Sequence, residues 1–255
     1  MLSDPLFLLL AIVAVTALGL SKGGFAGVGQ IGTPLLALVM PPLEAAALLL
    51  PIMIVQDAVA VWVYRKDWSA WNLRVLMPGA IIGICIAWAL AAYISDAMVR
   101  IALGAITIIF VLYTWYGKRM ATEPRQPSAA SGLFWGTISG FTSTLCQAGG
   151  PPFQMHILPQ RLAKMTFVGT TAIFFAALNA LKVIPYFALG QFSTAGLSTS
   201  VALLPLAIAT NAFGIWLVRR TAQETFYKIT MILMLLISLE LVRAGAAELI
   251  HRSGG

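Results

Sequence analysis

Two glycine-rich stretches interrupt otherwise apolar sequence, one in each half of the chain. The first covers residues 22–34 and reads KGGFAGVGQIGTP, and the second covers residues 140–152 and reads GFTSTLCQAGGPP. Glycine and proline break helices and leave backbone N–H and C=O groups without partners inside a helix. In lipid such groups are costly unless protein surrounds them or they line a cavity. Each break must therefore be enclosed by other helices.

The composition is that of a polytopic membrane protein. Of 255 residues, 60% are hydrophobic and only 10% are charged, and the mean hydropathy is +0.90, whereas soluble domains carry about 25% charged residues. The net charge of +7 resides mostly in short loops between apolar runs, which is the pattern that orients membrane proteins. We therefore expect the lipid bilayer as the surroundings, and no nucleic acid as a partner.

Six apolar runs are long enough, at about 20 residues, to predict membrane-spanning helices. The remaining runs are short or broken and predict two helical hairpins, at residues 6–40 and 131–158, with their tips near the middle of the membrane. The six long runs are 43–64, 75–94, 98–116, 165–189, 196–218 and 225–245.

The two halves share one order of features: a glycine-rich break, a proline, a short segment that ends at proline, and three long runs. Each half thus has five elements, the two arms of a hairpin and three long helices. Because five is an odd number, the second half must enter the membrane from the opposite side, as in transporters with inverted repeats. The predicted fold is an all-α polytopic membrane protein with two inverted-topology repeats, each a broken hairpin followed by three transmembrane helices. The first repeat is 1–116, a cytoplasmic linker is 117–130, and the second repeat is 131–255.

Loop charges predict the orientation. The positive-inside rule assigns the side with most basic residues to the cytoplasm, so both termini are expected outside. Ten of the 16 basic residues fall on that side: Arg65, Lys66, Arg74, Lys118, Arg119, Arg125, Arg161, Lys164, Arg219 and Arg220.

The first break combines a cation with backbone donors. Lys22 follows an apolar run directly, and a lysine at membrane depth is a functional candidate by default. The alternative is a lysine that extends from a helix end to the interface. Glycine N–H groups nearby favour an anion. The candidate anion-binding residues of this break are Lys22, Gly23, Gly24, Gly29, Gln30 and Thr33.

The second break offers neutral hydrogen-bonding groups. Its hydroxyl and amide side chains and its glycine backbone are suited to the oxygens of an oxyanion. The alternative is that small residues here only allow close packing of helices. The candidates are Ser143, Gln147, Gly149 and Gly150.

Four residues outside the breaks complete the candidate site. Asp57 is an isolated carboxylate within a long apolar run, so it must be paired or protonatable. It either couples transport to protons or pairs with a lysine of the other half. Asn179 lies at a similar distance after its half's second proline, which predicts that the two face one site together with Lys182. His156 is either a proton carrier or a hydrogen-bonded core residue.

The remaining polar residues suggest no further chemistry. Glu240 and Arg243 are three residues apart on the last predicted helix and are expected to pair. No catalytic triad, metal-ligand spacing or cofactor fingerprint is present in the sequence, and the glycine-rich stretches lack the Gly-Lys-Ser/Thr ending of a P-loop. We therefore expect no enzymatic activity, no metal and no cofactor.

The motifs of both halves, taken in order, resemble those of the sulfite exporter TauE/SafE family of membrane transporters. The resemblance covers almost the whole chain. It rests on GLSKGGF at 19–25, PLLAL at 34–38, LPIMIVQD at 50–57, GFTS at 140–143, QAGGPPF at 147–153, LPQRL at 158–162 and NALK at 179–182.

This resemblance implies a permease of the bacterial inner membrane, in which the orientation predicted from the loop charges would make both termini periplasmic. It implies small sulfur-containing anions as substrates, such as sulfite or organosulfonates including sulfoacetate, usually for export. The inverted repeats predict transport by alternating access. Several relatives carry histidine where this chain has Gln147, so proton coupling here would fall to Asp57 or to no side chain. A passive anion channel of the same architecture is the alternative, and the oligomeric state is open.

Overall fold

The computed structural model describes residues 4–22, 28–91, 93–117, 128–218 and 224–253. Within these ranges the chain is helical and contains no strand, which confirms the all-α prediction. The helices are α1 Pro5–Lys22, α2 Gly32–Leu36, α3 Pro42–Tyr64, α4 Ala70–Leu90, α5 Asp96–Gly117, α6 Ala129–Cys146, α7 Gly150–Ile157, α8 Lys164–Ala188, α9 Thr194–Val218 and α10 Glu224–Ser253, with 3₁₀ turns at Val28–Ile31 and Leu158–Gln160.

Five of the described helices are long and apolar enough to cross a membrane: α1, α3, α4, α8 and α9. Three of them match predicted runs closely. α4 begins earlier than the predicted 75–94, because Ser69 caps it: the Ser69 hydroxyl accepts the Asn72 backbone N–H at 3.3 Å. A capping hydroxyl of this kind satisfies one of the free N–H groups at a helix start.

The breaks lie between α1 and α2 and between α6 and α7, but the two arms of each hairpin are unequal. α1 and α6 have 18 residues each, or about 27 Å of helix, against a hydrocarbon core of about 30 Å. The second arms are short, with five residues in α2 and eight in α7. The long arms contain no proline after their first residue, so nothing ends them early. The position of their tips near the middle of the membrane stays a prediction.

Glycines let α4 and α6 pack backbone against backbone. A Cβ atom at Gly83 would lie 2.0 Å from the Thr137 carbonyl oxygen, and one at Gly136 would lie 2.3 Å from the Leu76 carbonyl oxygen. Gly79 makes a similar approach to α6. Spacings of four residues between small residues are typical of membrane helices in close contact.

The main helix contacts between the halves have a regular pattern. α1 packs on α9 and α4 packs on α6, while α3 packs on α8 and α5 on α10. α3 and α8 run antiparallel, because Tyr64 and Val168 share one cluster and Leu50 and Tyr186 share another. α5 and α10 are antiparallel as well, since Gly245 faces the start of α5 and Gly104 faces Ser238.

One end of the helix bundle gathers basic residues. Here α3 ends and α4 and α8 begin, and the carbonyl oxygen of Asp67 touches Gly169 so closely that a Cβ there would lie 1.8 Å away. We call this the basic end, and the end where α3 begins and α8 ends the opposite end. The described basic residues at the basic end are Arg65, Lys66, Arg74, Arg161 and Lys164, the first residue of α8.

The local ion pair expected on the last helix is confirmed. Arg243 Nη2 lies 2.6 Å from Glu240 Oε1, and Arg243 Nε lies 2.8 Å from Glu240 Oε2. Both side chains are largely exposed.

The α4–α6 contact predicts a sharp sensitivity to one methyl group. Gly136→Ala should destabilise the fold by about 1–3 kcal/mol, because the new Cβ overlaps backbone that cannot move aside without separating the helices. The measurement is thermal unfolding in detergent. Ala89→Val adds more volume on the exposed face of α4 and should leave the midpoint unchanged. Equal midpoints for Gly136→Ala and the wild-type protein would show that the helices are not in backbone contact.

Candidate functional site

A buried carboxylate connects three helices. Lys22, the last residue of α1, forms an ion pair through Nζ with Oδ1 of Asp57 on α3. The other oxygen, Oδ2, accepts a hydrogen bond from Asn179 Nδ2 on α8 at 2.5 Å. Asp57 is only 2% exposed, and a charge at this depth requires both pairing and hydrogen bonding. Asp57 and Asn179, which were expected to face one site, are thus in direct contact. The lysine that pairs with Asp57 is Lys22, from the same half of the chain as Asp57.

A second lysine joins α8 to the end of α6. Lys182 is fully buried, and its ammonium donates to the Ser143 hydroxyl at 2.9 Å, to the Ser143 carbonyl at 3.3 Å and to Gln147 Oε1. The Gln147 amide nitrogen in turn donates to the carbonyl of Ala46 on α3 at 3.2 Å. Gln147 therefore uses both ends of its amide to hold the second break against α3 and α8.

Gln147 adopts an unusual backbone conformation. It ends α6 with φ of 55°, in the left-handed region. Helices commonly end this way, but with glycine, because a side chain there costs roughly 1–2 kcal/mol. Strain of this kind concentrates at functional sites. Here the left-handed conformation directs the Gln147 amide at Lys182 and at the carbonyl of Ala46. A glycine at this position would provide neither hydrogen bond.

The two breaks enclose a cavity. Its volume is about 70 Å³, against roughly 10–15 Å³ for one water molecule by the same measure, so it accommodates several waters or one small anion. Six predicted residues line it: Lys22, Gly29, Thr33, Ser143, Gln147 and Gly150. The other lining residues are Leu18, Ser21, Met53, Phe153, Gln154, Phe167, Val168, Thr171, Ala172 and Phe175.

Other predicted residues support the cavity from outside its lining. Asp57, Asn179 and Lys182 hold the lining residues Lys22, Ser143 and Gln147 in place. Gly149 is a packing residue in this structure: a Cβ there would lie 2.8 Å from the Ser143 Cβ, and the Ser139 hydroxyl donates to its carbonyl at 2.7 Å.

The breaks supply fewer backbone donors than the sequence suggests. Pro151 and Pro152 in the first turn of α7 have no N–H, and the Phe153 N–H bonds to the Gly149 carbonyl at 3.2 Å. In the first break, Gly23 and Gly24 lie outside the described residues. Gln30 lies in the 3₁₀ turn Val28–Ile31, and its side chain is also outside the described part. Among the described residues, side chains therefore dominate the polar lining.

His156 belongs to a separate network at the basic end. Its Nδ1 lies 3.1 Å from the Ser131 hydroxyl, and its Nε2 lies 3.0 Å from Asn72 Oδ1. The ring stacks on Trp71 with centroids 6.3 Å apart. These contacts fasten α7 to α4 and α6 and are those of a hydrogen-bonded core residue. The role of His156 as a proton carrier stays a prediction.

One wall of the cavity was missed in the sequence. Phe167, Thr171 and Phe175 of α8 line the cavity, and they precede Asn179 and Lys182 at intervals of four, four, four and three residues. This spacing places all five on one face of a helix. The stripe is visible in the sequence, but the aromatic residues look like ordinary membrane-helix residues until the cavity is known.

The fold and the cavity define a class: a helical, multi-pass membrane protein with a cavity that lies at two helix breaks and is lined by a lysine. A family model described as "Sulfite exporter TauE/SafE" matches residues 10–241. The chain therefore belongs to the TauE/SafE sulfite exporter family of membrane transporters, as its motifs suggest. A search of curated proteins and a search of solved structures each found no match.

The buried ion pair predicts strong coupling between its members. Asp57→Ala should destabilise the protein by about 3–5 kcal/mol, because the Lys22 ammonium loses its carboxylate in a buried position. Adding Lys22→Met should restore most of that loss. The measurement is a double-mutant cycle on unfolding in detergent. Strictly additive effects of the two substitutions would contradict the pairing.

Proposed function

We propose that this protein is a secondary transporter of small sulfur-containing anions, such as sulfite or organosulfonates, in the bacterial inner membrane. The observation that carries the proposal is the position of Lys22, which lines the cavity while Asp57 and Asn179 hold it from behind. An ammonium has three N–H donors, and Asp57 takes one. An anion in the cavity can accept another while the ion pair stays intact.

Neutral groups complete the anion site. The lining includes the hydroxyls of Ser21, Thr33 and Ser143 and the amide of Gln154. Such groups bind oxyanion oxygens without adding charge. Because the site lies between helices, in surroundings less polar than water, each of these hydrogen bonds is electrostatically stronger than it would be in water.

The helix contacts support two inverted repeats, with residues 1–116 and 131–255 as the units. When α1 to α5 are matched with α6 to α10, exchanging the halves turns the α1–α9 contact into the α6–α4 contact. The α3–α8 and α5–α10 contacts map onto themselves, and in both the partners run antiparallel. This is the pattern expected for a pseudo-twofold axis in the membrane plane.

The cavity extends towards the basic end, and packed side chains lie between it and the opposite end. This arrangement favours a carrier that works by alternating access. It reaches Phe167, within one turn of the start of α8 at the basic end. Towards the opposite end, Ala46, Leu50 and Tyr186 form a packed cluster. The Tyr186 hydroxyl donates to the Thr144 carbonyl at 2.6 Å. A passive anion channel, the second candidate, would need a continuous path where this cluster lies.

Asp57 is the candidate for proton coupling. Its two oxygens bind Lys22 and Asn179, so protonation would weaken the hold on Lys22 and strengthen the lysine's interaction with an anion. Proton and anion would then be loaded together. On this proposal sulfite flux in vesicles responds to a pH gradient. In Asp57→Asn the response should be absent from the flux that remains, measured with equal amounts of folded wild-type and variant protein because the substitution also leaves Lys22 without its carboxylate.

Transport by the purified protein in proteoliposomes tests the proposal. The variant Lys22→Gln/Asp57→Asn removes both charges, so no buried charge loses its partner, and it should fold but lose sulfite uptake at least tenfold. Glu240→Gln/Arg243→Gln removes an exposed ion pair and is the matched control, with flux expected to be unchanged. Saturable flux with counterflow identifies a carrier. Non-saturating flux without counterflow would establish the channel instead, and unaltered uptake in the Lys22 variant would reject the anion site.

Labelling of single cysteines tests the orientation. In a Cys85→Ser/Cys146→Ser background, a membrane-impermeant maleimide should label Gln191→Cys, which lies near the end of α8, from outside the cell. It should label Lys66→Cys at the basic end only after the membrane is permeabilised, because the positive-inside rule places that end in the cytoplasm. The reverse pattern would place both termini in the cytoplasm.

A further inference from the structure

The cavity has two chemically different walls. One wall is polar and comes from the ends of α1 and α6 and the start of α2: Ser21, Lys22, Thr33, Ser143 and Gln147. The other wall is mainly aromatic and comes from α7 and α8. Its rings are Phe153, Phe167 and Phe175, and we call these three residues the aromatic wall. Phe153 is fully buried and supports Phe175 from behind, so Phe167 and Phe175 supply the accessible ring surface.

Ring contacts hold the aromatic wall in place. Phe153 stacks on Phe174 with centroids 4.8 Å apart and meets Phe175 edge-on at 5.3 Å. Phe174 and Phe175 are also edge-on, at 5.1 Å. Thr171 lies between Phe167 and Phe175 on α8, but its hydroxyl donates to the Phe167 carbonyl at 2.7 Å. This part of the lining therefore offers mostly apolar surface in a fixed arrangement.

A small inorganic oxyanion does not match this arrangement. Its oxygens point in all directions. Those facing the rings would lose water, and on the described α7–α8 side of the lining the Gln154 amide is the main hydrogen-bond donor that could replace it, which is unfavourable. An anion with one charged head and a small apolar substituent matches both walls at once. Its head would meet Lys22 and Ser143, and its substituent would bury apolar surface against the rings.

We propose that the aromatic wall is a second subsite, which binds the apolar substituent of an organic anion, and that Phe175 and Phe167 determine specificity for it. This inference rests on the anion site proposed above. Preferred ligands are then small alkyl sulfonates with a single negative charge, ahead of sulfite itself. Phe167 and Phe175 line the same cavity as Lys22 and Ser143, so the head and substituent sites are contiguous.

The test is calorimetric binding to the purified protein, with sulfite, methanesulfonate, ethanesulfonate and propane-1-sulfonate as ligands. In the wild-type protein the affinity should rise about three- to fourfold for each added methylene group. In Phe175→Ala this rise should be largely lost, with propane-1-sulfonate weakened roughly tenfold and sulfite changed less than about twofold. Phe175→Leu keeps an apolar side chain and should retain most of the rise.

Controls separate the possible failures. Phe187→Ala removes a ring from the same helix at a position that is 78% exposed, and should leave all four affinities unchanged. Phe167→Ala gives a second variant in case Phe175→Ala does not fold. Binding of every anion without dependence on chain length, or an equal rise in wild-type and Phe175→Ala proteins, would overturn the aromatic subsite alone. Failure of all four anions to bind the wild-type protein would overturn the anion site as well.

Discussion

The carboxylate of Asp57 is the interaction on which the site depends. It lies buried on α3 and binds Lys22 at the end of α1 with one oxygen and Asn179 on α8 with the other. A buried charge is tolerated only when all of its interactions are present together. The same atoms therefore hold the first break against the second half of the chain and set the position of the lysine that lines the cavity. One buried carboxylate therefore both joins the two halves and positions the lysine of the cavity.

Glycine serves two different purposes in this fold. At the breaks it lines the cavity, at Gly29 and Gly150, and leaves space free there. Along α4 and α6 it does the reverse and lets two intact helices touch, since Gly83 and Gly136 face backbone oxygens at distances that no Cβ would allow. The close contact gives α6 a rigid support, and α6 carries Ser143 and ends at Gln147. Packing glycines thus position the polar end of the cavity without entering it.

Features set by local sequence were predictable. The helical class, the longer apolar spans and the Glu240–Arg243 pair follow from hydropathy and from spacing along a single helix. Features that depend on neighbours were predicted less well. Asp57 and Asn179 were expected to face one site, but the lysine partner of Asp57 is Lys22, from the same half. The two arms of each hairpin differ in length, with 18 residues in α1 and five in α2. Hydropathy alone does not show at which residue a helix ends. The imidazole of His156 is chemically able to carry a proton, and the structure adds that its side chain contacts Ser131, Asn72 and Trp71.

The sequence by itself determined that this is a multi-pass helical membrane protein of the TauE/SafE family, with two costly breaks and charges that need partners in lipid. These conclusions rest on composition, order and spacing, which do not depend on how the helices are arranged. Only the tertiary structure decided which breaks and charges meet. It placed Lys22 on Asp57, turned the Gln147 amide towards Lys182, and lined one cavity with both polar side chains and phenylalanine rings. These contacts join residues far apart in the chain, and their geometry depends on how whole helices pack against one another.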